Sequence, residues 1–503
     1  MKLKTTVILA VSGILVSAAG AFAVPVAHPS VAVAEPKETP TTGVHTTAGD
    51  TLVIDARLGH TQLAKASSGE TYLFAQVGAA SDAVTAAVTP MNLALVIDRS
   101  GSMKGERIAN AMNAAVFALE RMRDGDSISV VAFDTAAQVV VAPTTIAAGN
   151  RPAIEAAIRS IRLGGDTCIS CGLQEAMAQI SRSAPSPRDA AGRLDRMILL
   201  SDGVTNAGVR DMPGMRAMAN RMHGRGVTIS TIGVDVDFDE KMMAAIANEA
   251  NGRHYFVANA SGLAGVFGQE FDDVLASVAS DAELTITLAP GVEVAEVFDR
   301  SFRREGDKLI VPFGTFSGKQ EKTILVKLRV PTDREGDAPV ADLKLAYRDL
   351  VKKTNASSDA SLALAIKDSA AALDPFVAAR LERSRTAQTL TEANTLFEAG
   401  RIGEARAKLA SRGDDLKKSE AVALAAPNKP LRNARPLDRD FDDQRAAIAQ
   451  ADTAFAAPPA TAGGSLGAAG PKDGRFAQPP APAPREGKAQ VRTNQERAFD
   501  MAF

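Results

Sequence analysis

The sequence predicts an α/β domain with a doubly wound, mainly parallel sheet, inserted in a β-sandwich module and followed by a short helical region and a disordered tail. Two observations predict the α/β domain. Leu93–Ile97 is an uninterrupted apolar run that is too short for a helix and is typical of a strand buried on both faces. Further strand-like runs then alternate with amphipathic helical stretches as far as about residue 280, the pattern of a mainly parallel sheet covered by helices.

The alternation defines the extent of this α/β domain, which we expect to span residues 91–280. The later strand-like runs cover residues 127–133, 197–201 and 227–234. The helical stretches cover residues 105–122, 151–161, 172–182, 212–224 and 239–251.

Strand-like segments without intervening helices lie on both sides of the α/β domain. Residues 51–58 and 70–77 alternate in polarity before it. After it, turn residues such as Pro290-Gly291 separate the runs 283–288, 292–298, 308–312, 323–330 and 341–347. We therefore expect residues 48–90 and 281–350 to form one β-sandwich module that is interrupted by the α/β domain.

Polar side chains follow the first buried strand at alternate positions. The strand ends on Asp98, and Ser100 and Ser102 come next on either side of Gly101. Open α/β sheets bind ligands at the carboxyl ends of their strands, so these three oxygen-bearing side chains are candidates for a ligand site. The alternative interpretation is a turn and a helix N-cap that lead into the helical stretch 105–122.

The stretch Asp98-Arg-Ser-Gly-Ser-Met103 resembles the metal-ion-dependent adhesion site of von Willebrand factor A (vWA) domains, here of the exported bacterial type, which have a Rossmann-like fold. Two later motifs follow in the family's order. Gly164-Gly-Asp-Thr167 resembles its G-G-T loop, although Asp166 shifts the alignment by one residue, and Ser201-Asp-Gly203 resembles its T/S-D-G turn. The resemblance implies a metal site formed by Asp98, Ser100, Ser102, Thr167 and Asp202.

This set of ligands predicts both the metal and the mode of binding. Two carboxylates and three hydroxyls offer only oxygen, which suits Mg²⁺ or Mn²⁺; Ca²⁺ is a third alternative that prefers more carboxylates. The resemblance implies that a Glu or Asp of a partner protein completes the coordination, so we expect a divalent-cation-dependent adhesion module and no enzyme. The alternatives are a structural cell-envelope scaffold, a metal-assisted hydrolase or a redox-active C-x-x-C protein, and the sequence has no G-x-S-x-G elbow or P-loop.

The chain has two cysteines, Cys168 and Cys171, directly after Thr167. Three interpretations remain open: a disulfide across one helical turn, a thioredoxin-like redox pair, or half of a zinc site. In a protein exported from the cytoplasm the disulfide is favoured, and it would stiffen the loop that carries Thr167.

The first residues have the layout of a secretory signal. Lys2 and Lys4 precede a largely apolar stretch and Ala21-Phe-Ala23, so we expect a signal peptide over residues 1–23 and a linker over 24–47. Cleavage after Ala34 and an uncleaved anchor are the alternatives. The mature chain would then be periplasmic, secreted or bound to the cell surface, without a membrane span.

Composition argues against nucleic acid as a partner, because the net charge is −2 and the chain has no Trp.

At the C-terminal end of the sequence, residues 366–423 predict a helical hairpin that is interrupted at Gly400. Pro, Ala and Gly dominate most of residues 426–503, which predicts a disordered tail. Its last residues include Phe499 and Met501, which indicate either a docking peptide or mere composition. Nothing in the sequence indicates the oligomeric state.

Overall fold

The polarity of each segment determines which kind of layer it forms, and the chain builds an α/β layer, two mainly antiparallel sheets and a group of helices. A computed structural model describes residues 41–80, 89–183, 193–235, 238–258, 262–318, 320–425, 436–456 and 485–502. The predicted signal peptide lies outside these residues. None of the described helices has the length and the apolar character needed to cross a membrane.

The strands and helices are numbered in chain order. The strands are β1 Gly43–Ala48, β2 Leu52–Leu58, β3 Gln62–Ala64, β4 Glu70–Ala79, β5 Met91–Asp98, β6 Ser127–Phe133, β7 Ala137–Thr145, β8 Leu194–Ser201, β9 Val227–Val234, β10 Asn251–Val257, β11 Ser277–Leu288, β12 Glu293–Phe298, β13 Arg303–Glu305, β14 Lys308–Ser317, β15 Glu321–Arg329, β16 Gly336–Asp349 and β17 Thr354–Lys367. The helices are α1 Glu106–Arg121, α2 Arg151–Arg159, α3 Ile169–Arg182, α4 Met212–His223, α5 Glu240–Glu249, α6 Leu263–Leu275, α7 Pro375–Glu398, α8 Ile402–Ala425, α9 Leu437–Ala456 and α10 Arg485–Ala502.

The central sheet has the strand order β10-β9-β8-β5-β6-β7, and all its pairs are parallel except β6 with β7. This confirms the doubly wound, mainly parallel fold class. All eight residues of β5 are buried, because helices cover both faces of the sheet. The chain passes from β5 to β6 on one side and later returns to β8 on the other, so the loops after β5 and β8 meet at a switch point of the sheet.

Two strands at the edges of this sheet were missed by the sequence analysis. β7 is an edge strand whose residues are mostly exposed or half-buried, so it has no continuous apolar run. β10 begins at Asn251, where the expected helix 239–251 was to end, and Asn251 has a positive φ of 53° that stops the helix.

Two sheets, which we call the sandwich, share one hydrophobic core, and all their strand pairs are antiparallel except β17 with β3. Their strand orders are β1-β2-β4-β15-β12 and β13-β14-β11-β16-β17-β3. β4 pairs with β15 from Glu70↔Arg329 to Gly78↔Glu321, so segments before and after the α/β domain are neighbours in one sheet. The α/β domain is thus inserted between β4 and β11.

The expected limits of the sandwich need correction at both ends. β1 begins at Gly43, inside the expected linker, and pairs through its backbone with β2 alone. β17 extends to Lys367, past the expected limit of 350 and into the first residues of the expected helical hairpin. β17 is rich in Ser and Ala, so its apolar signal is confined to its last residues, where Leu362, Leu364 and Ile366 are buried.

Four helices at the end of the chain, α7 to α10, form what we call the bundle. α7 and α8 are the predicted hairpin, but the expected disorder of 426–503 is wrong for α9 and α10. Phe441, Ile448 and Phe455 recur every seven residues on one face of α9 and are buried against α7 and α8. The sequence analysis missed this apolar stripe because it judged the tail by its overall Pro- and Gly-rich composition. The remainder of the tail, residues 426–435, 457–484 and 503, lies outside the described residues.

The packing of α3 on the central sheet gives a stability prediction, because α3 directly follows the loop that carries Thr167. A Cβ added to Gly172 would lie 2.7 Å from the Phe133 ring and 2.9 Å from Val96 Cγ1. Gly to Ala normally stabilises a helix, yet here we expect Gly172→Ala to lower the free energy of unfolding by about 1–3 kcal/mol through overpacking. Urea denaturation measures this difference.

Gly265 in α6 is the matched control, because an added Cβ there would meet no atom within 4 Å. Gly265→Ala should leave stability unchanged or raise it by up to about 1 kcal/mol. A Gly172→Ala protein as stable as the unmodified chain would contradict the close packing of α3 on β5 and β6.

Candidate functional site

Asp98 forms the base of a cluster of polar side chains at the carboxyl edge of the central sheet. It is the last residue of β5, and its side chain is 0% exposed. The carboxylate accepts a hydrogen bond from the Ser100 backbone N–H at 2.8 Å and from the Ser201 hydroxyl at 2.5 Å. Ser201 is well placed because β8 runs parallel to β5, with Leu200 opposite Ile97.

Ser100 and Ser102 lie in the tight turn that follows Asp98. Their Oγ atoms are 3.0 Å apart, and the Ser102 hydroxyl donates to Asp202 Oδ1 at 2.7 Å. The side chain of Met103 is fully buried and holds the turn, Gly101–Met103, against the core of the domain. The bond between Ser102 and Asp202 thus joins the turn after β5 directly to the turn after β8.

The loop before α3 brings Thr167 to the same place. Gly164 N–H donates to the Arg99 carbonyl at 2.7 Å, and Gly101 N–H donates to the Gly165 carbonyl at 3.1 Å, so this loop is bonded to the first loop. A Cβ added to Gly203 would lie 3.3 Å from both Ser102 Oγ and Thr167 Oγ1. The hydroxyls of Thr167 and Ser102 therefore converge on the turn after Asp202.

All five residues expected at the metal site thus come together. Of the two residues at which the alignment was ambiguous, Thr167 is buried beside the cluster and Asp166 is exposed, so Thr167 remains the candidate. Thr167 is held by its backbone, which accepts from Asn206 N–H at 3.0 Å and donates to Asn206 Oδ1 at 2.7 Å.

The sequence analysis did not find the neighbours that hold this cluster in place. Arg107 in α1 donates to Asp202 Oδ2 at 2.8 Å and to the Ser102 carbonyl at 2.9 Å, and it also pairs with Asp235 after β9. Among these neighbours, Ser201 is the one that belongs to a motif recognised in the sequence, Ser201-Asp-Gly203. The contacts of Arg107 with Asp202 and Asp235 join residues that are distant in the sequence, so no local pattern could have indicated them.

The two carboxylates differ in their electrostatic surroundings. Asp202 pairs with Arg107, whereas Asp98 has no cationic partner among the residues that the structure describes. Burial raises the pKa of Asp98 to about 6, and the charge of Asp202 acts in the same direction, although hydrogen bonds from Ser201 and Ser100 oppose the rise. Above about pH 6 the site therefore carries a buried negative charge that no cationic side chain in the described part of the chain pairs with.

The residues present fit a hard divalent cation. The converging atoms are carboxylate and hydroxyl oxygens, and the uncompensated charge of Asp98 supplies a reason for a cation to bind. Within the described segments, no group of three or more His, Cys, Asp or Glu side chains is arranged to hold a metal. The cluster would hold an ion through hydroxyls as much as through carboxylates.

Comparison with known proteins identifies the domain that carries this cluster. Residues 92–269 match the family model of the von Willebrand factor type A domain. This part of the chain is a vWA domain. An uncharacterized protein of Synechocystis sp. is 27% identical over 281 residues, which are 54% of this chain and 64% of that protein. The uncharacterized protein YfbK of Escherichia coli is 30% identical over 201 residues, 40% of this chain and 34% of YfbK. The chain thus spans less than two thirds of the length of either curated relative.

A solved structure shows that the likeness of fold extends beyond the vWA domain. A von Willebrand factor type A protein from Catenulispora acidiphila matches with a TM-score of 0.58 and 15% sequence identity, over 80% of this chain and 98% of that one. The matched part of this chain is therefore longer than the vWA domain at residues 92–269. At this level of identity the match shows the fold alone.

The two cysteines of the vWA domain form a disulfide at the start of α3. The Cα atoms of Cys168 and Cys171 are 5.3 Å apart, and the bridged sulfurs leave no thiolate for half of a zinc site. The bridge is compatible with both the structural disulfide and the oxidised form of a redox pair. Cys168 N–H donates to the Asp134 carbonyl, and a Cβ on Gly208 would lie 2.5 Å from Cys168 Sγ. The disulfide therefore lies between the turn after β6, which contains Asp134, and the loop after β8, which contains Gly208.

The uncompensated charge of Asp98 gives a stability prediction for the metal-free protein. With a chelator at pH 8, Asp98→Asn should raise the free energy of unfolding by about 1–3 kcal/mol, because it removes a buried charge and keeps the shape. Ser201 can keep its hydrogen bond to the amide. Urea denaturation with EDTA measures the change.

Asp124→Asn is the control, since Asp124 is 64% exposed and pairs with Arg151 at the surface. It should change the stability by less than about 1 kcal/mol. If Asp98→Asn were less stable than the unmodified chain under chelation, the charge of Asp98 would have a cationic partner after all.

Proposed function

We propose that this protein is a divalent-cation-dependent protein-binding module, in which a Mg²⁺ ion held by the vWA domain captures an acidic residue of a partner protein. Mn²⁺ would serve in place of Mg²⁺. The convergence of Asp98, Ser100, Ser102, Thr167 and Asp202 at the switch point of the sheet, with the charge of Asp98 uncompensated, carries this proposal.

The chemistry of the ligands explains why an external acidic group would bind. Because hydroxyls are neutral, only Asp98 and Asp202 oppose the charge of the ion, and Arg107 already neutralises part of the charge on Asp202. The bound ion would supply an electrophilic centre for one more carboxylate. Asp98 and the hydroxyls would hold the ion, and Arg107 would fix the orientation of Asp202.

The rim of the cluster suits a partner that combines acidic and apolar side chains. Leu163 and Val204 are 42% and 54% exposed, and they directly flank Gly164 and Gly203 of the two later loops. Lys104 is exposed after the first loop. Exposed apolar side chains next to a charged centre are typical of a protein-binding surface.

The described histidines favour binding over hydrolysis. Each has a hydrogen-bond partner away from the cluster: His45 with Asp55, His60 with Thr71, His223 with Asn251 and His254 with Thr231. None of these imidazoles is therefore placed to activate a water molecule at Asp98 or Asp202.

We also propose that the protein works outside the cytoplasm. The disulfide between Cys168 and Cys171 supports this, because such bridges persist in oxidising compartments. The composition of the first 23 residues supports it independently.

Direct titration tests the ion site. Asp98→Ala should weaken Mn²⁺ and Mg²⁺ binding at least tenfold, because it removes one of two carboxylates, whereas Asp124→Ala should bind like the unmodified chain. Isothermal titration calorimetry measures both. Equal affinities for the unmodified chain and Asp98→Ala would contradict the proposed site.

Capture of partners then tests the adhesive role. The immobilised protein should retain a protein from the exported fraction that EDTA releases and that Asp98→Ala does not retain. Leu163→Ser and Val204→Ser should keep the affinity for the ion and retain less partner, with Val422→Ser, which is 73% exposed on α8, as the control. A structural scaffold would retain its partners equally well with Asp98→Ala.

The disulfide gives a further prediction, since it stiffens the loop that carries Thr167. Opening the bridge should weaken Mn²⁺ affinity several-fold. The measurement is calorimetry on the oxidised protein and on Cys168→Ala/Cys171→Ala, with mass spectrometry confirming the bridge in the former. Equal affinities would exclude the coupling, and two free thiols in protein from its native compartment would exclude the bridge itself.

A further inference from the structure

A cavity of about 570 Å³ lies where the vWA domain, the sandwich and the bundle meet. β8, β10 and α6 line it from the vWA domain, β14 and β15 from the sandwich, and α7, α9 and α10 from the bundle. The cavity is remote from the ion site. Arg196 on its wall precedes Asp202 by six residues along β8, a distance of about 20 Å in an extended strand.

Arg196 presents a guanidinium to this cavity without a partner. Its side chain forms no hydrogen bond and no ion pair with the described residues, and it keeps some accessible surface where it lines the cavity. Burial lowers the pKa of Arg196, although Glu270 and Asp273 oppose this effect from a distance. Five N–H donors in a planar fork are thus left without acceptors.

Lys322 is a second basic side chain that lines the cavity. Its side chain is only 7% exposed, and the ammonium donates to the carbonyls of Phe313 at 2.6 Å and Thr315 at 2.9 Å. Both acceptors are neutral. Burial lowers the pKa of Lys322, and three nearby guanidinium groups, including that of Arg196, lower it further.

The nearest acidic side chains are already engaged. Asp273 pairs with Arg253 at 2.8 Å, and Glu270 accepts the hydroxyl hydrogen bond of Tyr255 at 2.7 Å. Neither lies within ion-pair distance of Arg196 or Lys322. Arg196 and Lys322 therefore share a cavity in which no described carboxylate pairs with either of them. Burial disfavours the charged forms of both side chains there unless an anion joins them.

We propose that this cavity is a binding site for a small molecule that carries a phosphate or carboxylate group, with Arg196 and Lys322 as its principal anchors. An oxyanion would neutralise both cations and accept the unused N–H donors of Arg196 in a two-pronged geometry. The volume is within the range of small-molecule sites. Because the walls come from three regions of the chain, such a ligand would also hold these regions together.

The test is calorimetric titration of the full-length protein, in EDTA and at constant ionic strength, with inorganic phosphate in one arm and succinate in the other. We expect saturable binding in at least one arm, and the arm that binds more tightly identifies the preferred oxyanion. Arg196→Gln and Lys322→Met should each weaken this binding at least tenfold. Arg216→Gln, at a 53% exposed guanidinium on α4, is the matched control and should bind like the unmodified chain.

Two results would overturn the proposal. One is the absence of saturable heat in both arms with the unmodified chain, which would leave a cavity filled by water alone. The other is unchanged affinity in both Arg196→Gln and Lys322→Met. Circular dichroism shows whether each variant folds. If Arg196→Gln does not fold, Arg196→Lys replaces it, because lysine keeps the positive charge but lacks the planar guanidinium. Arg196→Lys should also bind the anion more weakly than the unmodified chain. Because the titration is done in EDTA, no divalent ion is bound at the Asp98 cluster, and the result does not depend on the ion site.

Discussion

The burial of Asp98 at the end of β5 is the constraint on which the rest of the site depends. β5 lies in the middle of the sheet with helices on both faces, so its last residue is enclosed by protein. A carboxylate in that position needs hydrogen bonds or positive charge. Ser100 and Ser201 supply the hydrogen bonds, and the described residues supply no positive charge. The polar turns after β5 and β8, and the loop before α3, are arranged around this residue.

Contacts between loops make the cluster rigid. Gly101 is bonded to Gly165, Ser102 to Asp202, and Arg107 to both Asp202 and Asp235. These bonds connect the segments after β5, α2, β8 and β9. The disulfide at the start of α3 adds a covalent restraint beside Thr167. A site with such restraints is prepared before a ligand arrives, which reduces the entropy lost on binding.

The sequence predicted those parts of this structure whose signals are local. The apolar run of β5 and the residues Asp98, Ser100 and Ser102 form one short stretch, and the order of the later motifs predicted Thr167 and Asp202. The contact between Arg107 and Asp235 joins residues that are distant in the sequence and left no such signal. The same holds for the cavity that Arg196 and Lys322 line together. The helix α9 was missed because tail composition outweighed a stripe of three buried residues, and β17 because Ser and Ala dominate it.

A crystal structure of the protein grown with Mn²⁺, with anomalous differences recorded at the manganese edge, tests the central claim most directly. The account expects one strong peak among the side-chain oxygens of Asp98, Ser100, Ser102, Thr167 and Asp202. It also expects that the backbone of the three loops stays within about 1 Å of the positions described above, as in a prepared site. A peak elsewhere, or no peak at this cluster, would contradict it.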